Sequence, residues 1–137
     1  MTNEVFLDTA YAIALSVESD QHHERAEELA EYLESGQVRL VTTRAVLLEI
    51  ENALSKKRYR KAVVELLDAL EEDSQIEIVS LTDELYQQAF ELFRNRPDKE
   101  WGLVDCVSLV VMQKRGITEA LTTDEHFEQA GFRALLR

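Results

Sequence analysis

The chain has little cysteine, proline or glycine: its 137 residues include 1 Cys, 1 Pro and 4 Gly. A single cysteine excludes an internal disulfide and a cysteine-based zinc site, which needs several closely spaced thiolates. The scarcity of proline and glycine excludes a low-complexity linker. Because 45% of the residues are hydrophobic, we expect one core and a single domain over residues 1–137.

Long apolar runs are also missing. No stretch approaches the roughly 20 apolar residues that span a bilayer. The first residues lack a basic segment followed by an apolar one, as a secretory signal would have. From these absences we expect a cytoplasmic protein that has no membrane partner.

Basic residues are few, with 15 Lys and Arg against 27 Asp and Glu and a net charge of −12. A protein that holds nucleic acid by surface charge alone is basic, because its affinity comes from Lys and Arg that displace counterions. The acidic balance therefore excludes a broad electrostatic attraction to nucleic acid or to an anionic membrane surface. It does not exclude chemistry at a local site.

Short apolar segments alternate along the chain with segments of helical periodicity. Strands buried on both sides are predicted at 5–7, 38–41, 76–81 and 120–122, with a weaker fifth at 132–136. The intervening helices are predicted within 10–33, from 42–43, at 62–70, from 82 and at 103–112, with a weak last helix from 126. This alternation predicts an α/β fold of three layers (α/β/α), with helices covering a mainly parallel central sheet of four to five strands.

Most acidic residues repeat at helical spacing and are explained by solvated helix faces. Asp8 and Asp124 differ, because each follows a predicted strand at its carboxyl end, where parallel sheets bind ligands. Asp105 interrupts the most hydrophobic helix of the chain, either as a site residue or as an acid favoured near a helix N-terminus. Periodicity does not separate Glu49 from Glu51.

Four sequence blocks resemble the PIN domain, most closely the toxin ribonucleases of VapBC type. The resemblance covers essentially the whole chain, in order and with the expected spacing. The blocks are Val-Phe-Leu-Asp-Thr at 5–9, Thr-Thr-Arg-Ala-Val-Leu-Leu-Glu at 42–49, Trp-Gly-Leu-Val-Asp-Cys at 101–106 and Leu-Thr-Thr-Asp-Glu-His-Phe at 121–127.

The resemblance implies a metal-dependent endoribonuclease that hydrolyses RNA phosphodiester bonds. Its catalytic and metal-holding residues would be Asp8, Glu49, Asp105 and Asp124, with Glu49 preferred over Glu51 because it aligns with the block that begins at 42. The Asp124 position sometimes ligates metal only through water. All-oxygen ligands suit Mg²⁺ or Mn²⁺, which also compensate the repulsion between clustered carboxylates.

Further expectations follow from the same resemblance. The hydroxyls of Thr9 and Thr123 match polar residues that accompany the cluster, whereas Gly102 stands where relatives often have a helix-capping Ser. The family also implies an RNA substrate, a homodimer and a cognate antitoxin protein. An apolar groove near Tyr11, Ile13 and Leu15 would suit an antitoxin helix, although an amphipathic pattern does not separate such a groove from core.

Five of the 15 basic residues fall within 56–61. They are typical of a solubilising helix junction, or they form a local patch for the RNA backbone. We take Lys56, Lys57 and Arg58 as candidate RNA contacts, and Arg44 as a further one.

Other functional classes fit the sequence less well. A haloacid-dehalogenase-type phosphatase needs a second Asp two residues after the first, and that position is Ala10. A receiver domain needs an adjacent acidic pair after the first strand, which is likewise absent. His126 is predicted to be a surface or helix-start residue. The alternative to a nuclease is a non-catalytic acidic module that binds a protein partner.

Overall fold

A computed structural model describes residues 3–137. None of the helices in this described range is long and apolar enough to cross a membrane. The described residues form strands β1 (Glu4–Leu7), β2 (Arg39–Thr43), β3 (Ile76–Val79), β4 (Glu119–Leu121) and β5 (Arg133–Ala134). They also form helices α1 (Thr9–Ser16), α2 (His23–Ser35), α3 (Arg44–Ala53), α4 (Lys57–Glu72), α5 (Asp83–Asn95), α6 (Leu103–Arg115) and α7 (Glu125–Gln129).

The strands form one parallel sheet in the order β3-β2-β1-β4-β5. Helices flank it, as the predicted three-layer α/β/α class requires. β1 occupies the centre, and the register pairs Phe6 with Val41 on one side and with Ala120 on the other. The carboxyl ends of β1, β2 and β4 therefore meet at one edge of the sheet. This edge is where the site residues collect.

The core is built from the short apolar runs that predicted the strands. Phe6, Val41 and Leu121 are fully buried, and Phe127 of α7 lies against Phe6 with ring centroids 6.4 Å apart. Cys106 is also fully buried. It is a core residue of α6, as its apolar neighbours indicate.

Two glycines end helices in different ways. Gly116 adopts the left-handed conformation after α6, with φ of 69°, which a side chain would strain. After α2, Gly36 has φ of −82° and Gln37 takes the left-handed conformation instead, with φ of 52°. Gly36 follows the last residue of its helix, but the left-handed conformation falls on the next residue.

Several predicted boundaries move: β3 and β5 are shorter than predicted and α6 is longer. Two further shifts concern candidate site residues. Helix α4 begins at Lys57, five residues before the predicted start at Ala62, so the basic residues lie in its first turns rather than in a junction. Thr42 belongs to β2, and Thr43 is the N-cap of α3, where its Oγ1 accepts a 3.1 Å hydrogen bond from the Val46 N–H. The N-cap fixes the rotation of α3, which decides where Glu49 faces.

Candidate active site

Asp8 lies at the centre of the site edge. It directly follows β1, is the N-cap residue of α1 and is 7% exposed. Thr122, directly after β4, donates a 2.7 Å hydrogen bond from Oγ1 to Asp8 Oδ2. This bond exists because β1 pairs with β4 in a register that aligns Leu7 with Leu121.

The Asp8 carboxyl is held in an environment that opposes its ionisation. Burial raises its pKa from 3.8 to about 7, against the lowering effect of hydrogen bonds from Thr122 and from the backbone of Thr9. The negative charges of Asp105 and Glu49 raise the pKa further. A carboxylate here therefore needs a positive charge beside it.

Glu49 and Glu51 are separated clearly by the structure. Glu49 is half-buried and accepts a 2.6 Å hydrogen bond from Thr9 Oγ1 at its Oε1, whereas Glu51 is exposed. Since Thr9 immediately follows Asp8, this bond ties α3 to the start of α1 beside the buried carboxyl. Glu49 faces the site and Glu51 faces solvent.

Asp105 combines the two roles considered for it. Its Oδ2 accepts a 3.0 Å hydrogen bond from the Gly102 N–H and so caps the start of α6, although Gly102 itself has no capping hydroxyl. The same oxygen lies 3.0 Å from His126 Nδ1. The Asp105 carboxylate can therefore cap α6 and lie in the site at the same time.

Asp124 is the N-cap of α7 and accepts a 2.9 Å hydrogen bond from the His126 N–H at Oδ1. That oxygen is also 3.2 Å from His126 Nδ1. One ligand atom from each of Asp105, Asp124 and His126 lies within 4.8 Å of the others, and among residues 3–137 no other such group of three is found.

Two contributors were not predicted. Thr122, rather than the predicted Thr123, donates to Asp8, while Thr123 offers its carbonyl oxygen to Arg137 at 3.4 Å. His126 starts a helix as predicted, but its ring lies in the site. Its place two residues after Asp124 was the one signal in the sequence, and a lone histidine at a helix start is usually a surface residue.

The side chains at this edge suit a divalent cation. Beside His126, Asp105 and Asp124 offer carboxylate oxygens, the ligands that Mg²⁺ and Mn²⁺ take in proteins. Asp8 and Glu49 lie outside this group of three and offer further carboxylate oxygens, and Asp8 is near enough to Asp105 and Glu49 for their charges to raise its pKa. Burial, and to a lesser extent the charges of Asp105 and Glu49, raise the pKa of Asp8 and leave its negative charge uncompensated. A cation would compensate this charge, so the residues present fit the metal that the family resemblance implies.

The candidate RNA contacts lie outside this cluster. Lys56, Lys57 and Arg58 are exposed at the start of α4, and the Arg58 guanidinium lies 4.8 Å from the centre of the Tyr59 ring. Arg44 forms an ion pair with Glu71, which competes with any phosphate. Trp101 is buried, donates a 3.1 Å hydrogen bond to Gln129 and so packs rather than stacks on a ligand.

Known proteins resemble the chain over nearly its whole length. The family model of the PIN domain matches residues 5–133. The 23S rRNA-specific endonuclease VapC20 of Mycobacterium tuberculosis, from strains CDC 1551 and H37Rv, is 30% identical over 128 residues, which are 93% of this chain and 95% of the relative.

Solved structures agree with this match. The crystal structure of M. tuberculosis VapC20, described as a Sarcin-Ricin loop cleaving toxin, superposes with a TM-score of 0.82 at 28% identity, covering 93% of this chain and 95% of that one. VapBC2 from Rickettsia felis, bound to a DNA fragment from its promoter, superposes with a TM-score of 0.70 and 96% coverage of both chains. Its 16% identity supports the fold alone.

The raised pKa of Asp8 predicts a pH-dependent loss of stability in the metal-free protein. The Asp8 carboxyl binds its proton more tightly in the folded state than in the unfolded chain. Its contribution to the free energy of unfolding is therefore complete below pH 3.8 and is lost as the pH rises to about 7. We expect the difference in unfolding free energy between wild type and Asp8→Asn to change by about 1–4 kcal/mol over this interval.

Urea unfolding in a chelator between pH 4 and pH 8 measures this difference. The exposed Glu51→Gln is the matched control and should follow the wild type at every pH. A constant difference between wild type and Asp8→Asn across the interval would contradict the buried environment of Asp8.

Proposed function

The chain belongs to the PIN-domain family, and we propose that it is an endoribonuclease that hydrolyses RNA phosphodiester bonds as the toxin of a toxin–antitoxin pair. The observation that carries this proposal is the buried Asp8 carboxyl at the centre of the sheet edge, close enough to Asp105 and Glu49 for their charges to raise its pKa. Similarity to VapC20 over 93% of the chain supports the same activity.

We propose Mg²⁺ or Mn²⁺ as the cofactor, held by Asp8, Glu49, Asp105 and Asp124. Such a cation supplies a Lewis acid that activates water and stabilises the negative charge that develops on the phosphodiester. The threonine hydroxyls orient the two carboxylates that they contact, Thr122 at Asp8 and Thr9 at Glu49. The family role of Thr123 would fall to Thr122.

Burial argues against a purely structural use of this edge. A non-catalytic acidic module would keep its carboxylates in water, where their ionisation costs little. Asp8 is instead enclosed by the sheet and α1 and has its charge opposed by two neighbours. The arrangement is destabilising without a cation, which is typical of functional sites.

RNA cleavage tests the proposed site. With intact 23S rRNA or a mixed RNA pool and Mg²⁺ or Mn²⁺, we expect Asp8→Asn and Glu49→Gln to lower the cleavage rate by at least about 100-fold, since each removes a metal-holding charge. Glu51→Gln, two residues along α3 and exposed, should cleave like the wild type. Gel or sequencing readout of the fragments measures all four proteins.

Equal cleavage by the wild type and Asp8→Asn would mean a contaminating nuclease and would reject the site. Failure of metal to affect either cleavage or melting temperature, together with retained partner binding by Asp8→Asn, would favour the protein-binding alternative.

We propose that Lys56, Lys57 and Arg58 contact the RNA backbone. Their exposure at the start of α4 leaves all three free to meet phosphates. Arg44 is a weaker contact because Glu71 occupies its guanidinium.

Neutralising Lys56, Lys57 and Arg58 together to Gln should weaken RNA binding and flatten its salt dependence. Each lost phosphate contact lowers the log–log slope by about 0.7 on single strands, so the slope should fall by about 2. Fluorescence anisotropy across a salt series measures this. A control that neutralises the exposed Arg25, Lys114 and Arg133 should keep the wild-type slope. An unchanged slope in the first variant would rule out the proposed RNA contact.

The cognate antitoxin has a suitable docking place. A cavity of about 830 Å³ lies between α1, α2, β2 and the end of α4. Tyr11 and Leu15 line it together with Leu33 and Leu70, whereas Ile13 of the predicted groove does not. We propose that an apolar antitoxin segment occupies it. The antitoxin should then inhibit cleavage and slow hydrogen exchange in α1 and α2, and inhibition without protection of these helices would place it elsewhere.

We also propose a homodimer formed through α5. Its outer face carries Tyr86, Phe90 and Phe93, whose rings are stacked edge to face and partly exposed. The helix begins with Asp83 and ends near Arg94, so an antiparallel second copy would match opposite charges across a two-fold axis. Sedimentation velocity measures the mass, and a monomer at micromolar concentration would contradict this assembly.

A further inference from the structure

His126 places a nitrogen donor in a site whose other ligand atoms are oxygens. Its Nδ1 lies 3.0 Å from Asp105 Oδ2 and 3.2 Å from Asp124 Oδ1. We propose that His126 Nδ1 is a direct ligand of the cation and biases this site toward Mn²⁺ over Mg²⁺. The inference rests on the proposed function, because it concerns the metal of the same site.

The two distances from His126 Nδ1 to the carboxylate oxygens suit a shared octahedral ion. Adjacent ligands of such an ion lie apart by √2 times the bond length, which is about 3.0 Å for bonds of about 2.1 Å. The two distances from His126 Nδ1 match this separation. A cation could therefore lie between these atoms with little movement of the Asp105, Asp124 and His126 side chains.

The backbone that carries the His126 ring is also fixed by its neighbours. Asp124 accepts the His126 N–H at 2.9 Å, which fixes the first turn of α7. The next residue, Phe127, is fully buried against Phe6. Because the backbone on both sides of His126 is anchored, the imidazole is pre-positioned, and ordering it on metal binding costs little entropy.

The nitrogen donor of His126 determines which metal ion is bound more tightly. Mg²⁺ dehydrates reluctantly and prefers oxygen ligands and water. Imidazole suits transition metals, whose affinities for nitrogen sites exceed those of Mg²⁺. The remaining carboxylates, Asp8 and Glu49, contact hydroxyl groups and offer oxygen alone. The preference for Mn²⁺ therefore depends on one residue, and it can be removed by one substitution.

Metal binding to the full chain tests this without reference to cleavage. In titration calorimetry with MnCl₂ and MgCl₂, we expect His126→Gln to lower Mn²⁺ affinity by about 10–100-fold and Mg²⁺ affinity by less than about 3-fold. His22→Gln is the matched control, since His22 precedes α2 and its side chain makes no capping hydrogen bond there. This control should bind both metals like the wild type.

Pulsed electron paramagnetic resonance of bound Mn²⁺ gives a second readout. The wild type and His22→Gln should show the ¹⁴N coupling of a directly bound imidazole, and His126→Gln should lack it. Bound Mn²⁺ without ¹⁴N coupling in the wild type would overturn the role of His126 and leave the proposed nuclease site standing. Failure of the wild type to bind either metal would overturn both.

Discussion

The site of this protein is governed by repulsion between carboxylates that lie at the edge of the parallel sheet where its strands end. Asp8 cannot move away from its neighbours, because it is buried between the central strand β1, which it follows directly, and α1, whose N-cap residue it is. Thr122 holds one of its oxygens, and Thr9 holds Glu49 close by. The fold thus maintains a concentration of negative charge that favours a cation in its place.

Helix ends lower the cost of this concentration. Asp8 and Asp124 are N-cap residues of α1 and α7, and Asp105 lies in the first turn of α6. Three helix N-termini, each carrying partial positive charge, are therefore aimed at the same edge. Partial positive charge at a helix N-terminus favours a nearby carboxylate, yet burial keeps the pKa of Asp8 high. The net charge of −12 is consistent with this arrangement, because the proposed metal and RNA chemistry depends on the charges at the site and not on those of the whole surface.

The parts of the site that follow from strand order could be predicted from the sequence. Asp8 and Asp124 each follow an apolar run, and the rule for parallel sheets brings such positions together. The choice between Glu49 and Glu51 depends on the rotation of α3, which the Thr43 cap and the Thr9 bond fix. The hydrophobic periodicity of α3 does not distinguish the two glutamates, whereas the family resemblance favoured Glu49.

Contacts that depend on register or on side-chain direction were beyond the sequence. Thr122 meets Asp8 only because Leu7 aligns with Leu121, and a shift of one residue would present Thr123 instead. His126 meets Asp105 only because α6 and α7 begin side by side. The early start of α4 was missed because its first turns are basic and lack apolar spacing.

The sheet order also has a consequence for synthesis on the ribosome. Asp8 leaves the exit tunnel early, but the hydroxyl that holds it lies 114 residues further on, and β4 must insert beside β1 before the two can meet. A growing chain therefore lacks the assembled candidate active site while Asp8 and Glu49 are already outside the ribosome. Whatever hydrolytic capacity the molecule possesses arises in a late step of folding, after β4 has been synthesised and has paired with β1.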